Sequence, residues 1–513
     1  MKELWARFPE YLSAHLELSL AALAIAAAVA VPLGVWLGRR PRAAPALLAL
    51  AGALQTIPSL ALLAFMVPAL AALGLVTSRL FGFEVRAIGY GPALAALTLY
   101  GVLPILQNTV AGLRGVDPAC REAARGVGMT PRQQLWRVEI PLALPVMVAG
   151  LRTAAVWVVG TATLSTPVGA ASLGNYIFSG LQTRNYAAVS LGCVSAAGLA
   201  FVLDRAIGLV ERGVRERRRA LTATAAGLLV ALGVTAALAN VRSAEAARPI
   251  VIGAKTFTEQ YILSDLLADF LERDAGLPTR PLQSLGSTVL FDALRSGEVD
   301  VYVDYTGTLW ANVLKGRGAP GTRAALLDEV RRRLQAEQGV TVAAALGFEN
   351  TYALAMRADR ARSLGIATLS DLAAHAPELE IGADYEFLAR PEWQALVGTY
   401  GFAFRRASSM DPSLMYQAVA DGQVDVISAF STDGRLAALG LTALRDDRGV
   451  IPPYDAVVLV GPRLARERPD VVRKLGGLEG RIDAETMREL NRDVDQEGRT
   501  PAEVARAWLD TLR

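Results

Sequence analysis

The sequence predicts a multi-domain chain: an all-α transmembrane domain of about six spans, then a two-lobed α/β domain. Three observations predict it. The 513 residues are 52% apolar with a mean hydropathy of +0.33, more than a wholly soluble chain carries. The apolar residues gather in long runs before residue 241. After Pro249 short β-branched runs alternate with helical segments. The expected bounds are 1–219 for a membrane core, 220–248 for an extra span and linker, and 249–513 for the α/β domain.

Composition removes several classes. The net charge is +3, and the basic residues of the first part lie in short loops between apolar runs, a membrane-topology pattern and not a nucleic-acid footprint. Cys120 and Cys193 both lie in the apolar part, so the α/β domain has no disulfide framework. Only His15 and His375 are available, which argues against a histidine-ligated metal site or a histidine triad. Lysines stand only at 2, 255, 315 and 474, none with phosphate-loop spacing, so no ATPase site is expected in this chain.

The N-terminal MKELWARFPEYLSAHLE is too polar and acidic for a cleavable signal. A first span is expected over Leu18–Leu37, stopped by Arg39-Arg40-Pro41-Arg42. The run from Ala43 to Val76 exceeds the ~20 residues a bilayer needs. Gln55-Thr56-Ile57-Pro58 interrupts it, so it reads as one broken or tilted span with a flanking helix. Further spans are expected over Tyr90–Val110, Leu144–Leu164, Tyr186–Leu203 and Ala220–Leu238, with a linker from Asn240 to Arg248. With the N-terminus outside, inner loops collect Arg39, Arg40 and Arg42, then Arg114, Arg121, Arg125, Arg132 and Arg137, then Arg212, Arg215, Arg217, Arg218 and Arg219. Outer segments hold Lys2, Arg7, Arg79, Arg86 and Arg184. This asymmetry favours a cytoplasmic 122–141 stretch and an extracytoplasmic α/β domain. Arg152 falls inside the fourth span, and the reading preferred is snorkelling toward the cytoplasmic face over a buried partner. Gly91, Pro104, Pro145, Gly150 and Gly160 allow close packing and bending. The segment from Thr166 to Arg184 reads as too irregular to face lipid and is expected to line an outer mouth.

The stretch Glu122 to Pro141, EAARGVGMTPRQQLWRVEIP, lies between the third and fourth spans. A helix through Glu122-Ala123-Ala124 meets Gly126 and Gly128, so a turn is expected there. Glu122-Ala123-Ala124, Gly128, and Val138, Ile140 and Pro141 resemble the EAA signature of permease subunits of ABC importers. The resemblance implies a type I-like importer permease and a cytoplasmic helix that docks on a separate ATPase subunit, which carries the ATP and Mg.

In the α/β part, strands are expected in IVIGAKTF, VDVYVDY, TYALAM, LEIGAD, VDVISAF and AVVLV. Ala293–Tyr305 and Ala418–Phe430 repeat one another: Gly297 matches Gly422, Val299-Asp300-Val301 matches Val424-Asp425-Val426, and Tyr305 matches Phe430. Ligands bind beyond the carboxyl ends of strands in open α/β sheets, so two facing lobes present Tyr305 and Phe430 to one cleft. Tyr352 and Tyr454 each start an apolar strand where the chain crosses between lobes. The expected division is 249–352 with 455–513 for one lobe and 353–454 for the other. The alternative for the rings is lobe core.

AKTFTEQ (254–260), YTGT (305–308), NTYALAM (350–356), STDGR (431–435) and PPYDA (452–456) resemble the substrate-binding proteins of osmoprotectant importers, a periplasmic-binding-protein-like family. The resemblance implies an aromatic box of Tyr305, Tyr352, Phe430 and Tyr454 around a quaternary ammonium, with Gln260 and Thr308 near a carboxylate. Phe430 keeps a ring where the family commonly has tyrosine. Ring faces hold trimethylammonium through their quadrupole, by about 0.5–2 kcal/mol per contact. The helix start Gly286-Ser287-Thr288 and Arg390 are further candidates for a carboxylate, Arg390 equally for an ordinary surface residue. The reading is a fused permease and substrate-binding subunit for glycine betaine, choline or carnitine, a homodimer in the cell membrane with two ATPase subunits. The alternative is ergothioneine, also a trimethylammonium carboxylate, whose ring Tyr385 could stack on. A ligand-gated channel or sensor is the other class, and the 122–141 stretch argues against it. No catalysis and no cofactor are expected in this chain.

Overall fold

The computed structural model describes all residues except 1–4, 6, 41, 82–87, 184, 217, 246–248, 317–321, 385–386 and 513. Lys2, Arg86, Arg184, Arg217, Tyr385 and the end of the expected linker therefore lie outside the described residues, as does the side chain of Arg79. Two units emerge, one of Met1–Phe178 with Ala187–Arg248, the other of Ser179–Tyr186 with Pro249–Arg513.

The first unit is helical. Its central packing joins α1 (Phe8–Gly38), α4 (Tyr90–Arg114) and α6 (Ile140–Ala162). Small residues carry it: Ala22, Ala26, Ala30, Ala93, Ala96 and Ala154 are fully buried. A Cβ on Gly150 would lie 2.5 Å from Asn108 Cβ and 2.8 Å from Pro104 O, so α4 and α6 touch through a residue that must be glycine. Buried His15 ties α1 to its neighbours, with Nε2 donating to Val159 O (3.1 Å) and Nδ1 accepting from Leu173 N (3.3 Å).

Pro58 breaks the second apolar run as its missing amide requires. Helix α2 (Ala44–Thr56) and α3 (Ser59–Phe81) meet at a 99° bend. Among the described residues four helices are long and apolar enough to cross a membrane: Phe8–Gly38, Tyr90–Arg114, Pro131–Val168 and Tyr186–Arg215. The bent pair makes a fifth if counted as one span. The expected sixth does not reach that measure. Helix α9 (Arg219–Glu245) is long, but its apolar part, Ala220–Thr235, covers only about 24 Å at 1.5 Å per residue.

Two further expectations are corrected. Arg152 has partners within the unit: its Nε and Nη2 each lie 3.0 Å from a different carboxylate oxygen of Asp204, and its Nη1 lies 2.9 Å from Glu211. Asp204 and Glu211 stand two turns apart on one face of α8 (Tyr186–Arg215), which extends well past the expected end at Leu203. Nor is 166–182 irregular throughout. A 3₁₀ turn (Thr163–Val168) leads to α7 (Gly174–Gln182), and buried Thr166, Ser172 and Asn175 bond to one another.

The second unit holds two five-stranded sheets. The first, in the order β2-β1-β3-β10-β4, uses β1 (Ile250–Gly253), β2 (Thr279–Leu282), β3 (Val301–Tyr305), β4 (Thr341–Glu349) and β10 (Asp455–Val460). The second, in the order β7-β6-β8-β5-β9, uses β5 (Tyr352–Arg357), β6 (Glu380–Ala383), β7 (Arg406–Ser409), β8 (Val426–Phe430) and β9 (Leu441–Ala443). Position for position the orders are the same. In each, four strands run one way and the remaining one, β10 or β5, runs antiparallel to both of its neighbours.

The internal repeat has a structural cause. Gly297 (φ +79°) and Gly422 (φ +73°) supply the left-handed turn from helix to strand. Asp300 Oδ2 then accepts from Val251 N (3.0 Å), and Asp425 Oδ2 from Glu380 N (2.9 Å), so each aspartate seats the start of the neighbouring strand. Strand β4 went unpredicted because TVAAALGFE is alanine-rich and lacks the β-branched signature.

Candidate ligand-binding site

Strand register gathers the rings. Tyr352 pairs with Phe430 across β5 and β8, and Ala456, two residues after Tyr454, pairs with Tyr305 across β10 and β3. The Tyr352 ring lies 4.9 Å from Phe430 and 6.0 Å, edge-on, from Tyr454. Tyr305, Tyr352 and Tyr454 belong to one apolar cluster, with Phe430 packed against it, that includes Ile252 and Val301 of the first sheet and Met356 and Val426 of the second. They therefore occupy the seam between the lobes.

Two rings in the seam were not singled out from sequence. Phe257 stacks on Phe430 at 5.5 Å and on Tyr305 at 6.3 Å. Phe387 lies 5.0 Å from Tyr352. Both sit inside stretches already read for other residues, AKTFTEQ and DYEFLAR, where alternation gave no reason to choose them.

The polar candidates divide. Arg390 is buried, which removes the surface reading. Its guanidinium lies 5.0 Å from the Tyr352 ring centre, Nε reaches Glu392 at 3.4 Å, and Nη2 reaches Thr308 Oγ1 at 3.4 Å. Glu392 in turn accepts from the Tyr454 hydroxyl. Burial pushes the Tyr454 phenol well up, and the charge of Glu392 pushes it further. Gln260 also reaches the seam, but its amide is engaged: Nε2 donates to Val303 O (3.0 Å) and to the Tyr305 hydroxyl (3.2 Å), and Oε1 accepts from Lys255 N (3.3 Å). It holds Tyr305 in place. A helix does start at Ser287, with Gly286 as its cap.

Glu259 is the largest surprise. Its Oε1 accepts from the Tyr305 hydroxyl (2.5 Å) and Asn350 Nδ2 (2.9 Å), its Oε2 from Thr432 Oγ1 (2.5 Å) and Asn491 Nδ2 (3.2 Å). Burial is the larger effect and leaves its pKa raised, with the four donors offsetting only part of it. A cavity of about 20 Å³, room for about one water, lies among Glu259, Phe257, Phe430, Asp433, Arg435 and Asp495. A glutamate followed by glutamine in a helical segment carries no sequence signal for this role.

The 122–141 stretch forms in the helical unit. Asp117 caps α5 (Pro118–Gly126) by accepting from Ala119 N at 2.8 Å. Glu122 and Ala123 are exposed, Ala124 is buried, and Gly128 turns the chain at φ +78°. Thr130 and Gln133 form a capping box, and the chain then runs without a break into α6, with Pro141 in its first turn. Val127 and Trp136 stay 74% and 63% exposed, apolar side chains left uncovered on this surface.

A bundle of membrane-crossing helices joined to a two-lobed domain with a ring-lined seam defines a solute-capturing transport subunit. Residues 30–216 match the family described as the inner membrane component of binding-protein-dependent transport systems, and residues 248–511 match the substrate binding domain of ABC-type glycine betaine transport systems. The chain belongs to these ABC importers, as a permease fused to its substrate-binding domain. Over 496 residues it is 31% identical to the ergothioneine transport permease/ergothioneine binding protein EgtU of Helicobacter pylori (strain G27), covering 94% of this chain and 86% of that protein. Its first part is 40% identical over 198 residues to the choline transport system permease protein OpuBB of Bacillus subtilis (strain 168), 39% of this chain and 84% of that one. Its second part is 32% identical over 264 residues to the carnitine transport binding protein OpuCC of Listeria monocytogenes serotype 1/2a (strain 10403S), 51% of this chain and 85% of that one. Both matched families are transport components, neither catalytic nor cofactor-binding, and an ABC permease works with an ATPase partner and a small ligand.

Proposed function

We propose that the chain imports a trimethylammonium carboxylate, and within that class ergothioneine in preference to glycine betaine, carnitine or choline. The observation that carries the class is the ring seam: Tyr305, Tyr352, Phe430 and Tyr454 with Phe257 and Phe387, faced by Arg390. Rings suit a cation that cannot donate strong hydrogen bonds, and Arg390 suits a carboxylate. Ergothioneine is favoured because a relative that shares both halves in one chain carries that name. Six rings also exceed what one ammonium group needs, which suits a ligand with a ring of its own.

The second reading, a smaller betaine, draws on the separate relatives of each half, named for choline and carnitine. In either case the assembly is a homodimer of this chain with two ATPase subunits, because one chain supplies one permease core. The asymmetry of basic residues between the loops supports a cytoplasmic 122–141 and an extracytoplasmic 249–513. Tyr305, Tyr352, Phe430, Tyr454, Arg390 and Thr308 bind the ligand, with Gln260 orienting Tyr305. Glu122, Ala123, Ala124, Gly128 and Pro141 form or frame the ATPase contact.

The test is uptake into vesicles holding the chain and its ATPase, with ergothioneine, glycine betaine, carnitine and choline as competing substrates. Ergothioneine is expected to be taken up with the lowest KM. A lower KM for a small betaine overturns that preference, and no uptake of any of the four overturns the class.

A further inference from the structure

Among the described residues, three cations around the ring seam each meet a carboxylate. Lys255 meets Asp304 at 2.5 Å, Arg390 meets Glu392 at 3.4 Å, and Arg435 meets Asp433 at 2.6 Å. Glu259 is as buried as any of these, yet among the described residues its four hydrogen-bond partners are neutral groups. Each of the four donates. The Tyr305 hydroxyl already accepts from Gln260, so its proton faces Glu259. The two asparagines turn their NH₂ groups to the carboxylate and leave Asn350 Oδ1 and Asn491 Oδ1 buried without a partner in the protein. Four donors thus converge on one carboxylate, an arrangement that favours its ionised form against burial. It also leaves two bare carbonyl oxygens beside that carboxylate.

A buried charge without an opposite charge is costly and strongly field-generating in a dry site. Glu259 lies next to the rings. It shares the small cavity with Phe257 and Phe430 and bonds the hydroxyl of Tyr305. A carboxylate drawing on a phenol hydroxyl makes that ring more electron-rich, and its field adds to the ring quadrupole. We propose that Glu259 is the counter-charge of the ligand's ammonium group, acting from behind the Tyr305 and Phe257 rings without touching the ligand. The ligand's ammonium then lies within the field of Glu259, while its carboxylate meets Arg390 at the other end. Glu259 is a positioning residue, and what it sets is charge selectivity: a ligand of the same shape without the positive charge is rejected.

This rests on the trimethylammonium reading above, and the experiment separates the two. Binding to the full-length chain in lipid nanodiscs is measured for two pairs of equal shape. One pair is glycine betaine and 3,3-dimethylbutanoate; the other is ergothioneine and its analogue with carbon in place of the quaternary nitrogen. The readout is the affinity ratio of cation to isostere. Glu259→Gln is expected to lower the ratio about tenfold or more, the effect of one unit charge at this remove in a partly dry site. Glu259→Asp keeps the charge and is expected to keep the ratio within about threefold. Should Glu259→Gln give no cooperative melt, Asn491→Lys decides, because it hands the carboxylate a permanent partner and lowers the ratio by the same logic. An equal loss for both members of a pair, with the ratio unchanged, is the result of a purely structural Glu259 and overturns the proposal alone. A wild-type chain that binds neither cation overturns the ammonium reading and this assignment with it.

Discussion

Tyr352 sits where the seam is densest. It touches Phe387, Phe430 and Tyr454, and Arg390 lies over its face. Tyr305→Ala, Tyr352→Ala and Tyr454→Ala are each expected to weaken binding of a trimethylammonium ligand about tenfold or more, since one desolvated ring contact is worth up to about 2 kcal/mol. Calorimetry on the three variants checks this, with melting temperature read in parallel. A fall in melting temperature with affinity intact would assign the rings to the core. Phe430→Tyr is expected to be tolerated. Asp433 supplies a second prediction at this scale. Burial pushes its carboxyl up, but the charge of Arg435 and its hydrogen bonds hold it below the usual value. Because the folded pKa is depressed, the pair's stabilisation is full above the unfolded value near 3.8 and is lost as pH falls through the lower folded value. Arg435→Gln leaves a buried carboxylate alone and is expected to cost about 3–5 kcal/mol near pH 7. In that variant burial dominates and the carboxyl pKa rises, so the deficit shrinks on acidification toward pH 4. Denaturant melts at several pH values decide it.

Elements depend on single residues for their joints. Gly128 makes the turn between α5 and the capping box, and a Cβ there would meet nothing within 4 Å. The constraint is backbone alone, so tolerance should follow the left-handed preference: glycine best, asparagine next, valine worst. Gly128→Val is expected to leave ligand affinity unchanged and abolish ligand-stimulated ATP hydrolysis in vesicles, with Gly128→Asn intermediate. Normal stimulation in the valine variant would remove this stretch from ATPase coupling. Helix pairing in the membrane unit makes a similar prediction. Arg152→Gln leaves Asp204 and Glu211 without their shared cation, at an expected cost of about 2–3 kcal/mol. Thermal unfolding in detergent should show that loss, with part of it recovered in Arg152→Gln/Asp204→Asn. A snorkelling arginine would show neither.

At the scale of the whole molecule, fusion is the distinctive feature. One chain carries both the permease and the capturing domain, so each capturing domain remains at a high effective concentration near a pore. Cleaving between residues 245 and 249 and supplying the second part in trans at micromolar concentration is expected to lower initial uptake rates severalfold. Unchanged rates would show that the tether is dispensable.

Sequence and tertiary structure divided the information along a physical line. Features with a local cause were legible in the chain. Apolar length marks spans, Pro58 marks the 99° break, glycine marks the left-handed turns at 128, 297 and 422, and the repeated Val-Asp-Val marks paired strands whose aspartates seat a neighbour. The four aromatic positions were legible because each stands at a strand end. Features that depend on which distant groups meet were decided only by the fold. Arg152 reads as a lone charge until the continuation of α8 brings Asp204 and Glu211 beside it. Strand β4 has weak propensity and forms because β10 pairs with it. Glu259 is an ordinary helical glutamate in the sequence. Only folding surrounds it with Tyr305, Asn350, Thr432 and Asn491, from positions 46, 91, 173 and 232 residues away, because a carboxylate's meaning is set by the donors that replace its water.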